Sequence, residues 1–367
     1  MAGKLIVEFS LDTKCNLACK YCYSAHTPPN PMSIDTAMKF FERINYMMDY
    51  YDKDSYHISY FGGEPLLNWE VIEATLPKFQ EDPRCASYVV ITNGALLDPQ
   101  KIQFLKKYNC GISLSFDGLW QNTNRPAVEG TFEGTLEYFK QNKSLIHSIT
   151  DTCKVMIQPK NFTTMAENFE FFVNEYGFLR PDFCLVRDNI YTKNHVETFA
   201  TEVERLAHKV LEYQHKGIPA SVGLFDLYAL DILAGARFGK RDHGCFVGNN
   251  GCLYAVDGKF WPCERYRSTN KMVLYNPESG LNLENLKFMS EHADPRKFKK
   301  CMNCEIREYC NVGCTHQEMR EAKFEGREPI DSVCHLFKHS FKWAMFVFKN
   351  STKEYKDYLY RRLEVGS

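Results

Sequence analysis

Six strand-like apolar runs, separated by amphipathic stretches, fill the first half of this 367-residue chain and leave it few ways to fold. The runs are Leu5–Phe9, His57–Phe61, Tyr88–Thr92, Ile112–Phe116, Val155–Gln158 and Phe183–Arg187. Between them Ile34–Tyr51, Trp69–Phe79, Pro99–Tyr108, Phe132–His147 and Thr164–Tyr176 carry apolar residues at three- and four-residue spacing, the helical period. Repeated strand–helix units make parallel strands whose crossovers cover the sheet, so the expectation is an α/β fold built on a partial (β/α)6 barrel of the TIM type. In such barrels the reactive groups sit at the carboxyl ends of the strands. The residues least suited to strand or helix gather there: a cysteine-bearing loop after the first run, Gly62-Gly63-Glu64-Pro65 after the second, Thr92-Asn93-Gly94 after the third and Ser115-Phe116-Asp117-Gly118 after the fourth.

Composition narrows the partners. The 45 basic and 46 acidic residues are interspersed and leave a formal charge of −1, which gives no field able to hold a nucleic-acid backbone. No amino-terminal apolar stretch with a cleavage site is present, and the apolar run Trp343–Phe348 is too short to span a bilayer. The expectation is a cytoplasmic protein without nucleic-acid or membrane partners. In that compartment fifteen cysteines imply metal rather than disulfides.

Cys15, Cys19 and Cys22 stand in SLDTKCNLACKYCYS with three and then two residues between them. Three thiolates on one short loop hold three irons of a 4Fe-4S cube and leave the fourth open to a ligand that is not protein. S-adenosylmethionine (SAM) can chelate such an iron through its amino and carboxylate groups and be cleaved reductively to a 5'-deoxyadenosyl radical. A half zinc site or buried thiols are the competing readings, but zinc takes four ligands in paired spacings and this run offers three. The spacing, with Tyr21 before the last cysteine, resembles the signature of the radical SAM superfamily.

Two adjacent glycines after the second strand let the backbone approach a ligand closely, and Glu64 can accept a hydrogen bond from an ammonium group. Alone, Gly62-Gly63-Glu64-Pro65 is a turn signal. Beside the cysteine loop it matches the radical SAM element that holds the methionine amino group. Asn93 and Ser115 offer amide and hydroxyl groups to a ribose or carboxylate, and Arg125 can pair with that carboxylate through two parallel bonds. Turn chemistry and surface charge are the plain alternatives for these three. The resemblance also implies that Tyr21 lies beside the adenine.

Beyond Gly244 the cysteines crowd together at Cys245, Cys252, Cys263, Cys301, Cys304, Cys310, Cys314 and Cys334, with four residues between Gly258 and Cys263. This order resembles the SPASM extension of peptide-modifying radical SAM enzymes, which holds two auxiliary 4Fe-4S clusters. By that resemblance Cys245, Cys252, Cys263 and Cys314 ligate the first and Cys301, Cys304, Cys310 and Cys334 the second. The implied cofactors are three 4Fe-4S clusters and SAM. Cys252 lies outside the seven-cysteine core of the motif, and without it the first auxiliary cluster would keep an iron open to a substrate thiolate. A pair of zinc ribbons competes, although only Cys301 and Cys304 are spaced as a zinc pair. Cys85, Cys110, Cys153 and Cys184 have no cluster spacing and read as small buried hydrophobes. The domains expected are a radical SAM partial barrel with linking helices over 1–240, a cysteine-rich SPASM domain over 241–340 and a carboxyl-terminal helix over 341–367.

Glu264 follows Cys263 directly, at the position where the anaerobic sulfatase-maturating enzymes, which this architecture also resembles, carry an aspartate acting as base. Glutamate can do similar work near a cluster, or it can pair with Arg265 or Arg267. The cysteine–glutamate pair is closer to maturases that install thioether or carbon–carbon crosslinks in ribosomally made peptides. The function implied is oxidative modification of a peptide or protein substrate, with a flavodoxin- or ferredoxin-type donor of low-potential electrons. Because the first barrel strand starts at Leu5, a leader-recognition domain ahead of it is absent from this reading, and either a separate protein reads the leader or the barrel and the loop between domains bind the substrate directly. Sulfatase maturation, dehydrogenation or epimerisation of an aminoglycoside or small alcohol, and a non-catalytic iron–sulfur or zinc protein are the alternatives. Val333–Leu363 reads as one helix whose Phe, Trp and Tyr residues form a docking face.

Overall fold

The computed structural model describes residues 4–24, 28, 30–128, 135–187, 191–238, 246–293, 298–310, 313–321 and 329–365. It divides into two compact units. Met1–Ser115, Gln121–Thr150 and Cys245–Asp294 form the first, and Phe116–Trp120, Asp151–Gly244 and Pro295–Ser367 the second.

All six expected strands form. In the first unit β1 (Leu5–Ser10), β2 (Tyr56–Phe61), β3 (Cys85–Thr92) and β4 (Gly111–Leu114) pair side by side in parallel. In the second, β5 (Lys154–Ile157) and β6 (Asp182–Leu185) pair in parallel with each other. Just past the fourth strand, the Phe116 N–H donates to the Lys154 carbonyl (3.0 Å) and the Asp117 carboxylate accepts the Met156 N–H (2.8 Å). Asp117 thus supplies by side chain a bond that a neighbouring strand would supply by backbone. Gly118 at φ +60° then turns the chain, and a Cβ there would fall 2.3 Å from Asn168 Oδ1.

Four more strands extend the first sheet: β7 (Gly251–Tyr254), β8 (Phe260–Trp261), β9 (Tyr275–Asn276) and β10 (Gly280–Leu281). The order is β10-β9-β8-β7-β1-β2-β3-β4, and β7 joins β1 in parallel with Val7 opposite Cys252. The fold class is α/β, with the large parallel sheet that the alternation of runs implied. The cysteine-rich stretch therefore begins as part of that sheet. The turn between β7 and β8 contains Gly258, at φ +72°, where a Cβ would lie 2.4 Å from Arg43 Nη1. Arg43 donates to the Gly258 carbonyl (3.0 Å) and to the Tyr254 hydroxyl (3.3 Å), fastening the hairpin to the helix Phe40–Tyr51.

The core on the helix side of this sheet is aromatic. Leu5, Val7 and Phe9 alternate inward and are fully buried. The Phe9 ring meets Phe40 (5.2 Å), Phe79 (5.7 Å) and Tyr60 (5.9 Å) edge-on and stacks on Tyr254 (5.4 Å). One residue thereby ties β1 to two helices and both neighbouring strands.

In the second unit the expected helix Val333–Leu363 is two, Asp331–Asn350 and Lys353–Val365. The break falls where the Asn350 and Ser351 side chains donate to the carbonyls of Phe346 (2.8 Å) and Phe348 (2.9 Å), competing with continuation of the helix. Trp343 and Phe346 pack on His208 of the helix Lys193–His215, so the aromatic face is a docking face as expected. The last helix is held by Tyr355, whose hydroxyl donates to buried Asp226 (2.7 Å), which also accepts from Ser221 (2.9 Å). Among the described residues no helix is long and apolar enough to cross a membrane.

Truncating the residue that joins these elements tests the core. Phe9→Ala should lower the unfolding free energy of the apoprotein by about 3–5 kcal/mol in a urea titration. A loss below about 1 kcal/mol would show that the aromatic cluster closes around the gap.

Candidate functional site

The loop after β1 is built by its backbone. Asp12 Oδ1 accepts the Lys14 N–H (2.9 Å), which turns the chain into the cysteine run. Residues 124–128 then line the run on one side. Ala18 N donates to Pro126 O (2.8 Å), Lys20 N to Asn124 O (2.9 Å) and Val128 N to Asn16 O (3.0 Å). Cys22 N closes back on Cys19 O (3.0 Å). The three thiols are half-buried and near enough to one another to interact electrostatically. Burial pushes the Cys15 thiol up to about 12, with the charges of Glu64, Cys19 and Cys22 adding to it. All fourteen described cysteines are unbridged.

The two glycines after β2 are required by this loop. Gly63 N donates to Asp12 O (2.7 Å) and Glu64 N to Lys14 O (2.9 Å). A Cβ on Gly62, at φ +134°, would lie 2.3 Å from Asp12 O, and one on Gly63 would lie 2.1 Å from Lys14 O. The close approach expected toward a ligand is therefore an approach to the cysteine loop itself. Glu64 is 1% exposed and accepts three protein donors: Leu66 N (3.1 Å), Thr92 Oγ1 (2.7 Å) and Asn93 N (2.8 Å). Burial raises its carboxyl to about 7, against the pull of these bonds. Pro65 is buried and opens the short 3-10 turn Pro65–Asn68.

The other expected residues converge on the same loop. Asn93 donates from Nδ2 to Asn16 Oδ1 (2.8 Å), and the same nitrogen lies 3.9 Å from Cys15 Sγ. Arg125 is buried rather than a surface charge, and its guanidinium lies over the Tyr21 ring at 5.3 Å. Ser115 is half-buried and donates its N–H to Thr92 O (2.8 Å).

The later cysteines divide between the units. Cys245 lies outside the described residues. Cys252 is fully buried in β7, on the same strand face as Tyr254 and beside Tyr51 of the helix Phe40–Tyr51. Burial drives its thiol far above the ordinary range. Cys263 precedes the helix Glu264–Thr269 as its cap residue. In the second unit Cys301 ends a 3-10 turn and Cys304 N donates to Cys301 O (3.1 Å). Cys334 lies in the helix Asp331–Asn350, its thiol raised to about 11 by burial, with neighbouring Cys301 contributing. Cys310 and Cys314 are half-buried in the same unit.

Glu264 is 3% exposed. Its Oε1 accepts from Arg267 Nε (2.7 Å) and Nη2, so the ion pair considered from the sequence exists with Arg267. Its Oε2 is buried and has no hydrogen-bond partner among the described residues. Next to it stands Glu8, which the sequence reading passed over. Glu8 alternates with Val7 and Phe9 and so faces the opposite side of β1. Burial raises its carboxyl to about 7 and the charge of Glu264 adds to this, while Arg265 and the Glu264 N–H pull the other way. Its Oε2 also lacks a hydrogen-bond partner among the described residues. Arg265 covers the Tyr23 ring at 4.0 Å. The signal for Glu8 was present: a lone carboxylate inside the apolar strand Leu5–Ser10.

A carboxyl raised from 4.5 to about 7 binds its proton more tightly in the folded chain. Its favourable contribution is complete at low pH and is lost as pH rises through about 7. Glu8→Gln keeps an acceptor and removes the titration. The apoprotein variant should match wild type toward pH 4.5 and exceed it above about pH 7 by on the order of 3 kcal/mol in urea titrations. Parallel stability curves would show that Glu8 folds without that penalty.

Comparison with known proteins agrees with this geometry. Residues 10–158 match the model of the Radical SAM superfamily. The radical SAM cyclopropyl synthase TigE of Paramaledivibacter caminithermalis is 30% identical over 194 residues, 47% of this chain and 40% of TigE. The chain thus aligns with less than half of that relative's length. The structure of anSMEcpe with bound AdoMet is similar with a TM-score of 0.73 at 18% identity, over 98% of this chain and 99% of that one. Streptococcus suis SuiB bound to the precursor peptide SuiA is similar with a TM-score of 0.54 at 17% identity, over 87% and 74%. The α/β sheet corresponds to the TIM-type barrel of those structures, and a carboxyl-terminal extension follows it in each. The three-cysteine loop and the Gly-Gly-Glu run seated on it both fall within residues 10–158, the stretch that matches the Radical SAM superfamily.

Proposed function

We propose that the chain oxidatively modifies a peptide or protein substrate, forming a thioether or carbon–carbon crosslink in a ribosomally made precursor. The observation that carries the SAM half is the seating of Gly63 and Glu64 on the Asp12 and Lys14 carbonyls, which brings one carboxylate to the three thiols. The residues suit a 4Fe-4S cluster, since three coupled thiols share one loop and no fourth cysteine falls within it. When bound, that cluster supplies the electron that cleaves SAM to a 5'-deoxyadenosyl radical, which takes a hydrogen atom from the substrate.

The chain's own groups then have defined tasks. Glu64 Oε2 accepts one protein N–H and keeps a lone pair for the SAM ammonium group. Tyr21, with Arg125 across its face, offers a stacking surface for adenine. Arg125 can also pair with the SAM carboxylate, and Ser115 stands at a strand end near it in sequence. Glu264 receives a substrate proton at Oε2 while Arg267 holds Oε1. The peptide class of substrate is supported by neighbours of the same fold solved with peptides: anSMEcpe with Cp18Cys and SuiB with SuiA. The name of TigE, a cyclopropyl synthase, supports bond formation at carbon.

The cysteine-rich stretch, 241–340 in this proposal, would hold two auxiliary clusters, whose chemistry when bound is the acceptance of an electron. Cys301, Cys304, Cys310 and Cys334 hold one. Cys245, Cys263 and Cys314 hold the other, with Cys252 remaining in the core beside Tyr51. A flavodoxin- or ferredoxin-type protein would deliver the first electron.

Iron analysis tests the assignment. Reconstituted protein should bind about twelve irons, and Cys252→Ala the same number. Replacing Cys15, Cys19 and Cys22 together by alanine should leave about eight irons and abolish SAM cleavage. Cleavage by the triple variant would overturn the assignment of the loop, and loss of iron from Cys252→Ala would return Cys252 to the ligand set.

Glu264→Gln, given a peptide that the wild type modifies, should still form 5'-deoxyadenosine but yield crosslinked product about a hundredfold more slowly, as expected for loss of a general base. Mass spectrometry of the peptide at equal iron content decides. Product at the normal rate would confine Glu264 to its ion pair with Arg267.

A further inference from the structure

Asn93 ties the cysteine loop to Glu64 through its backbone N–H and its side-chain amide. Its N–H donates to Glu64 Oε2 (2.8 Å), and its Oδ1 accepts the Ala95 N–H (3.0 Å), a local turn. The turn uses only the oxygen. The amide nitrogen instead crosses to the loop, donating to Asn16 Oδ1 at 2.8 Å and lying 3.9 Å from Cys15 Sγ. The same sulfur faces the Leu17 N–H at 3.4 Å. Asn93 is 6% exposed, so water is a poor substitute for any of these partners. A primary amide is suited to this place because its nitrogen carries two hydrogens, one for Asn16 and one for sulfur. Serine or threonine could copy the turn and not the crossing.

Donors aimed at a ligating sulfur draw charge from the thiolate, favour the reduced form and raise the reduction potential. We propose that Asn93 is a positioning residue for the SAM-binding cluster: its amide fixes Asn16 and the Cys15 sulfur together and holds the cluster's potential up, within reach of its electron donor. This rests on the cluster being held by Cys15, Cys19 and Cys22. It gives Asn93 a different task from the contact with ribose or carboxylate that its place at a strand end suggested.

The test needs no peptide. Full-length wild type, Asn93→Ser and Asn16→Ala are reconstituted anaerobically and titrated electrochemically, following the EPR signal that changes when SAM is added. SAM cleavage by dithionite without peptide is measured alongside. Asn93→Ser should keep its iron and its SAM-responsive signal, show a lower midpoint potential than wild type and cleave SAM about fivefold more slowly, the scale of one lost hydrogen bond. Asn16→Ala, which leaves the amide free to face sulfur, should stay closer to wild type in potential. An unchanged potential in Asn93→Ser, or an equal fall in both variants, overturns the proposal. Should the serine variant fail to take up iron, Asn93→Thr provides the same comparison. A wild-type protein without any SAM-responsive signal would refute the cluster assignment itself, an outcome separate from either of these.

Discussion

Two peptide bonds decide where everything else in the site can stand. Gly63 and Glu64 donate to the carbonyls of Asp12 and Lys14, and the chains run so close that neither Gly62 nor Gly63 has room for a Cβ. Any side chain at these positions would push β2 away from the loop after β1. The Glu64 carboxylate would leave with it, and with Glu64 the bonds that fix Thr92 and Asn93 at the end of β3. The three strand ends thus form one hydrogen-bonded unit. Its tolerance for change is set by sterics that glycine alone satisfies.

Around that unit the buried acids are of two kinds. Glu64 is buried with three donors, so its raised carboxyl reflects desolvation that those bonds only partly offset. Glu8, half-buried, and Glu264, buried, each have one buried oxygen without a donor among the described residues. Unpaired buried oxygens cost stability, and such costs are found where a site must meet a group from outside the protein. That difference favours Glu264 as a base despite its ion pair with Arg267.

Much of this was legible in the sequence because it is local. The alternation in Leu5–Phe9 and the three-then-two spacing of Cys15, Cys19 and Cys22 need no knowledge of distant residues. The features that escaped are long-range. β7 is four residues long, and only its pairing with β1, across more than half the chain, makes it a strand. Arg125 carries no local mark of burial, and it is buried because residues 124–128 line the cysteine loop. The break after Asn350 depends on two polar side chains turning back on their own helix, which periodicity does not weigh.

The central claim is that the three-cysteine loop leaves one iron open for SAM. Pulsed ENDOR on the reduced protein with SAM carrying 15N in its amino group tests it directly. The account predicts a resolved 15N coupling to the cluster that is absent with unlabelled SAM. A cluster signal with no such coupling, in protein shown to bind SAM, would contradict it.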